Sequence, residues 1–290
     1  MALKHRPLRG ILLMIIAIAT FAVMDTIAKY LSQSYPVGNV VWARYAINLV
    51  VLTAFLVWSG ELGRIHTTRP TTQVVRGLML GASTLLYFTS LTRLPLAEAA
   101  SIGFVLPVFV AILAVPMLGE RIDMARVIAI FVGLSGALVV VRPGTALFTV
   151  YALLPVAMAL CNAFYQILTR KIAGLEHPLT SLFYGSLIGT AMSTLLLSAG
   201  VAMPQGWFHW TLFLTLGVLA TIGHFVLIRA FDYAPATLLA PFVYSQLVWV
   251  MLFGWFVFGD FPDGWSIVGM LIIVASGLYI ANRQRLTAKR

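Results

Sequence analysis

The sequence predicts an all-α polytopic membrane protein, with ten transmembrane helices arranged as two inverted five-helix repeats. Composition comes first: the 290 residues are 61% hydrophobic and 10% charged, with a mean hydropathy of +0.97. A soluble domain could not cover its surface with so few charges, and long apolar runs mark membrane helices. The second observation is the number and length of those runs, ten of about 17–24 residues against the roughly 20 a bilayer needs. The third is a duplication at an offset of 140 positions. Pro95, an apolar run and Gly119-Glu120 in the first half answer to Pro235, an apolar run and Gly259-Asp260 in the second. The preceding turns match too, Leu91-Thr92-Arg93-Leu94-Pro95 against Phe231-Asp232-Tyr233-Ala234-Pro235, and a late glycine follows each unit, Gly136 and Gly277.

Taken in order, the first span is Arg9–Ser32. Basic residues precede it as in a signal peptide, but the run outlasts a normal h-region and lacks a convincing small-x-small cleavage site, so it reads as a retained helix. Val37–Trp58 follows a short turn, and Thr72–Leu91 carries Gly77-x-x-x-Gly81, a spacing that lets helix backbones approach. Ala97–Met117 and Ala125–Val141 complete the first half. After Arg142-Pro143-Gly144-Thr145 come Leu147–Leu168, Pro178–Val201 with Gly185-x-x-x-Gly189, Thr211–Arg229, Ala236–Phe258 and Trp265–Ala281. Connections are short. The longest are 59–71 and 202–210, the latter bearing Trp207 and Trp210 at interface height. The alternating pattern of a membrane β-barrel is absent.

The formal charge of +10 reflects topology rather than a nucleic-acid partner. With the N-terminus cytoplasmic, 15 Lys and Arg fall on inner segments and only Arg93 and Arg142 on outer ones, while Lys29 and Arg44 lie within helices. The positive-inside rule then puts both termini in the cytoplasm. Five is odd, so the sixth helix starts outside whereas the first starts inside. Residues 1–146 and 147–290 are therefore read as two repeats related by a pseudo-two-fold axis in the membrane plane, an architecture that points to a transporter with its site between the halves.

Ten helices, an inverted five-helix repeat and a Pro-to-Gly-acid segment closing the fourth and ninth helices resemble the EamA-type members of the drug/metabolite transporter superfamily, and among them the bacterial aromatic amino-acid exporters. The resemblance covers essentially the whole chain. It matches Glu120 at the end of the fourth helix, while the second copy here carries Asp260. It implies a multi-pass protein of the bacterial cytoplasmic membrane that exports small organic solutes through a central cavity lined by both halves.

Candidate transport residues follow from the cost of polar groups in lipid. A charge at a helix centre costs about 2.5–3.5 kcal/mol, so Asp25, Lys29 and Arg44 should be paired or face a cavity. One reading is a buried ion pair among these three, with Asp25 and Lys29 one turn apart in the favourable order. Alternatively Asp25 meets a substrate amine or a proton, and Lys29 reaches outward on its long stem. Glu98, within a turn of the outer end of the fourth helix, is expected to be solvated. The second half offers neutral groups, Asn162 and Gln166 on the sixth helix, His224 on the eighth and Ser245-Gln246 on the ninth. Repeat offsets map Thr84 to His224, Leu106 to Gln246 and Asp25 approximately to Gln166. Aromatic residues sharing turns with these groups are Phe21, Tyr87, Phe104, Tyr165, Tyr244 and Trp249. The expected substrate cavity is thus Phe21, Asp25, Thr84, Tyr87, Phe104, Asn162, Tyr165, Gln166, His224, Tyr244, Gln246 and Trp249, suited to apolar and aromatic amino acids. Pro107 and Pro241, in repeat-equivalent helices, are expected hinges because proline removes a backbone donor.

Other chemistries find no purchase. The zinc-binding His-Glu-x-x-His and the phosphate-cradling glycine loop are absent, so no enzyme, metal or cofactor is expected. No repeated polar filter suggests a channel. Cys161 is the only cysteine, which excludes an intrachain disulfide. The expected partners are a small-molecule substrate and the lipid bilayer. A monomer would suffice, and the pattern leaves oligomeric state open.

Overall fold

The computed structural model describes residues 7–119, 124–142, 149–172, 175–197, 202–234 and 239–287. Among them the chain is helical throughout: α1 (Pro7–Leu31), α2 (Val37–Trp58), α3 (Pro70–Leu91), α4 (Leu96–Gly103), α5 (Leu106–Leu118), α6 (Met124–Val141), α7 (Leu153–Ile172), α8 (Pro178–Thr194), α9 (Gly206–Tyr233), α10 (Ser245–Phe253) and α11 (Gly264–Thr287). A 3₁₀ segment, Ala240–Tyr244, leads into α10, and a π-turn, Gly254–Phe258, extends it. Among the described residues seven segments are long and apolar enough to cross a membrane, and Val127–Val141, Phe242–Phe258 and Gly264–Tyr279 are shorter apolar helices. Counting α4–α5 as one span and 240–258 as another, the chain crosses ten times. α1 therefore begins and α11 ends on one face, here the terminal face; the opposite one is the far face.

Several sequence boundaries move, as where the sixth span becomes Leu153–Ile172 and the tenth runs on to Thr287. The eighth span begins at Gly206, so Trp207 and Trp210 ride on α9 instead of on a loop. The fourth and ninth spans are each interrupted near mid-membrane. In the fourth, Pro107 has no N–H to offer the Gly103 carbonyl one turn back, and α4 stops at Gly103 before α5 begins at Leu106. Pro241 falls in the 3₁₀ segment before α10.

The duplicated glycines have one physical reason. Gly119 and Gly259 both adopt left-handed backbone, with φ of 68° and 74°, and end their helices as αL caps. An acid then follows each stop. Asp260 lies among the described residues, whereas Glu120 lies outside them.

The principal helix pairings run between repeats. α1 packs on α9, α2 on α8 and α9, α3 on α7 and α8, α5 on α7, and α6 on α11. Gly81 comes opposite Gly189 where α3 meets α8, so both small-residue stripes serve internal packing. At the α6–α11 crossing a Cβ on Gly136 would sit 2.8 Å from the Gly269 carbonyl oxygen, and one on Gly269 would sit 2.6 Å from that of Gly136. Ser276 Oγ donates to the Ala129 carbonyl at 2.5 Å beside it. On the far face Asp263 caps α11, accepting from Ser266 N–H at 2.8 Å and pairing with Arg142 at 2.5 Å.

Two outcomes are expected. Gly136→Val should force the crossing apart and cost roughly 1–3 kcal/mol, as overpacking does, read as a lower unfolding temperature in detergent; Gly63→Ala, with open space around it, should be silent. The Ser266 N–H first, then Arg142, holds the Asp263 carboxyl below its usual 3.8. Its stabilisation is therefore present above that value and lost as pH falls through the lowered folded one. Detergent stability should drop on acidification below about 4, and Asp263→Asn should blunt that drop.

Candidate functional site

The two interruptions meet. Phe104 closes α4 and Tyr244 precedes α10; they are 140 positions apart in sequence and stack with ring centroids 5.1 Å apart at 26°. The room for Tyr244 comes from Gly277 on α11, where a Cβ would collide with the ring. Irregular backbone is tolerated at membrane depth only where protein or a cavity surrounds it, and a cavity of about 270 Å³ opens beside this stack. Small-molecule pockets usually span about 300–1,000 Å³, so this one fits a small solute.

Many of the sequence candidates converge on its wall. From the first repeat come Phe21 and Asp25 on α1, Thr84 and Tyr87 on α3, and Phe104. From the second come Asn162 on α7, His224 on α9 and Gln246 on α10. Gln246 Nε2 donates to Asp25 Oδ2 at 3.3 Å, across the repeats. Asn162 Nδ2 donates to Ser83 Oγ at 3.4 Å, again across them. His224 Nδ1–H donates to the Ala220 carbonyl at 2.8 Å, which leaves Nε2 as the acceptor of the neutral ring. Phe21 meets that ring edge-on at 5.0 Å.

Other candidates fall elsewhere. Tyr244 supports the wall from behind Phe104. Gln166, one turn toward the terminal face from Asn162, is exposed and donates to Asn162 Oδ1 at 3.0 Å. Tyr165 lies 5.1 Å beneath the Arg76 guanidinium, in a separate network with Gln73, Thr169 and Ser181. Trp249 stacks on Phe253 at 6.1 Å. Sequence reading passed over Leu80, Ser83, Phe88 and Met158. Helical spacing held the signal, since Leu80, Thr84 and Tyr87 form one stripe, as do Met158 and Asn162.

The expected ion pair among Asp25, Lys29 and Arg44 does not form. Among the described residues no ion pair joins Asp25 to either cation. Lys29 stretches to the far face instead, where Nζ meets Asp260 Oδ2 at 2.8 Å, the Leu94 carbonyl at 3.2 Å and the Phe258 ring at 4.7 Å. Its stem is long enough to leave the low-dielectric midplane for a carboxylate near water. Arg44 stays in the cavity wall, its Nη1 donating to Thr84 Oγ1 at 3.3 Å. Glu98, expected to be solvated, is only 6% exposed because α4 is packed on all sides at this seal.

The far half of the passage is closed. Lys29 ties α1, the turn before α4 and the end of the ninth span together, while Leu94, Leu96 and Ala97 are buried beneath. Beyond the breaks the partners separate: α5 joins α7 through Val105, Val108, Ala111 and Ala159, whereas the 3₁₀ segment joins α1 through Met14, Ile18 and Leu239. The side opposite this seal is the terminal face, toward which Gln166 is exposed.

These features define a class, a two-repeat helical membrane transporter with its cavity between the repeats. The sequence profile of the EamA-like transporter family matches residues 8–142 and again 149–282. The chain belongs to that family, within the drug/metabolite transporter superfamily. It is 31% identical over 278 residues to the S-adenosylmethionine uptake transporter of Rickettsia prowazekii (strain Madrid E), covering 96% of this chain and 94% of that protein. Identity is 29% over 293 residues to the riboflavin transporter of Vibrio cholerae serotype O1, covering 100% and 98%. It is 28% over 278 residues to the pseudopaline exporter CntI of Pseudomonas aeruginosa (strain UCBPP-PA14), covering 95% and 97%. A solved crystal structure superposes with a TM-score of 0.65 at 19% identity, over 96% of this chain and 98% of that one, a likeness of fold alone. The narrower resemblance to aromatic amino-acid exporters finds no counterpart in these three names.

Asp260→Asn would leave the Lys29 ammonium buried with weaker partners, an expensive arrangement. In a Cys161→Ser background, labelling of Ser83→Cys by an impermeant thiol reagent from the far face should rise at least about threefold, the effect of some 0.7 kcal/mol. An unchanged rate would mean that this contact does not hold the seal.

Proposed function

We propose that this chain is a carrier of the bacterial inner membrane, both termini cytoplasmic, that exports small organic solutes by alternating access. Amino acids, aromatic and other apolar ones first, are the best-fitting class. The observation that carries the reading is the cavity itself, built by both repeats where the fourth and ninth spans are broken, with aromatic rings around one carboxylate. The Lys and Arg bias supports the orientation, so the structure corresponds to a form open to the cytoplasm. Transport then requires breaking the Lys29–Asp260 contact and bringing α5 and the 3₁₀ segment together, with Pro107 and Pro241 at the bending points. Residues 1–146 and 147–290 act as the two moving repeats.

A larger flat metabolite is the second reading, favoured by the names of the S-adenosylmethionine and riboflavin relatives.

Proteoliposomes carrying the purified protein should take up labelled phenylalanine or threonine above empty vesicles. Asp25→Asn and Gln246→Ala should each slow flux about 5- to 150-fold, the effect of losing some 1–3 kcal/mol from an unsatisfied polar contact, without removing protein from the membrane. Silence of both would remove the cavity assignment. Wild-type flux through a folded Pro107→Ala protein would remove the hinge.

A further inference from the structure

Arg44 is 5% exposed and lines the cavity at membrane depth, yet no carboxylate meets it among the described residues. Its Nε is buried without a hydrogen-bond partner. What it does touch is neutral: Thr84 Oγ1 at 3.3 Å, the Tyr45 ring at 4.6 Å and the Phe88 ring at 6.0 Å. A purely structural Arg44 would knit α2 to α3 through Thr84. Tyr45 OH already makes that link, lying 2.7 Å from Thr84 Oγ1 and donating to the Leu80 carbonyl at 3.2 Å. A guanidinium costs about 2.5–3.5 kcal/mol at a helix centre, and rings and one long hydroxyl contact offset little of that.

Asp25 is the mirror case. It is 5% exposed, lines the same cavity and accepts from the Gln246 amide, with no cation paired to it among the described residues. The wall therefore presents a carboxyl and a guanidinium that make no direct ion pair with each other among the described residues. Tyr87 OH, buried without a partner, adds a free donor and acceptor on the same wall.

We infer that the cavity selects solutes carrying a carboxylate and an ammonium together, Arg44 taking the carboxylate and Asp25 the ammonium, with the apolar body against Phe21 and Phe104. This rests on the carrier reading above and deepens its substrate class. A solute with a single charge leaves the opposite protein charge unpaired in a poorly solvated pocket, which is how a site rejects an analogue lacking a group it is built to bind. Guanidinium is the fitting partner because its planar fork meets both carboxylate oxygens at once, which an ammonium cannot do.

The test uses full-length protein in proteoliposomes, with labelled L-phenylalanine and labelled S-adenosylmethionine as probes. Unlabelled phenylalanine, 2-phenylethylamine and 3-phenylpropionate compete; they share the ring and differ only in head group. Phenylalanine should compete at least about tenfold better than either single-charge analogue, a difference of some 1.4 kcal/mol. In Arg44→Gln the probe's KM should rise about tenfold or more and the preference over 2-phenylethylamine should vanish, while discrimination against 3-phenylpropionate persists through Asp25. Arg44→Lys should restore only part of the preference. Equal competition by all three compounds on the wild type overturns the inference while leaving the carrier intact, and needs no variant to fold. Flux of neither probe overturns the amino-acid reading and this inference together.

Discussion

Lipid offers no hydrogen bonds, so a membrane-spanning backbone must satisfy itself, and at two described places that face each other this chain does so with tighter turns in place of regular α-helix. Breaking the fourth span at Phe104 and the ninth at Tyr244 would be costly anywhere lined by acyl chains. Here the two breaks share one protein-lined space, and their rings cover one another. The rest follows from that arrangement. The cavity sits at the breaks, the halves on either side can choose different neighbours, and the seal forms where α4 and α10 still pack together.

The polar equipment is distributed unequally over a symmetric scaffold. Among the described residues the cavity's carboxyl and guanidinium, Asp25 and Arg44, come from the first repeat, and the second supplies Asn162, His224 and Gln246. The amides orient a polar group without adding a charge to the membrane interior. The Gln246–Asp25 and Asn162–Ser83 bonds both cross the pseudo-two-fold, so each repeat positions a polar group of the other.

Much of the frame was legible because it rests on local chemistry. The Gly119 and Gly259 stops are visible as a repeated Gly-acid pair since only a residue tolerant of left-handed backbone ends a helix that way. Pro107 marks its break because it lacks a donor. What could not be read was pairing at long range. Asp260 is 231 positions from Lys29, and one turn of proximity to Asp25 made the nearer acid look like the partner. Glu98 looked solvated because depth along a helix says nothing about what packs around it. Tyr165 and Trp249 carried the right chemistry on the wrong helix face, whereas the stripes of α3 and α7 were decipherable from period alone.

The interleaved pairing of helices bears on how such a chain is made. Most neighbours of α1, α2 and α3 belong to α7, α8 and α9, which leave the ribosome far later. During synthesis the early segments must wait in the bilayer, inserted yet unpacked, with Asp25 and Arg44 carried in lipid before any pocket exists to shelter them. The nascent first half is thus a long-lived, assembly-hungry species, and the interval until α9 emerges is when membrane chaperones and proteases have their best opportunity to act on it.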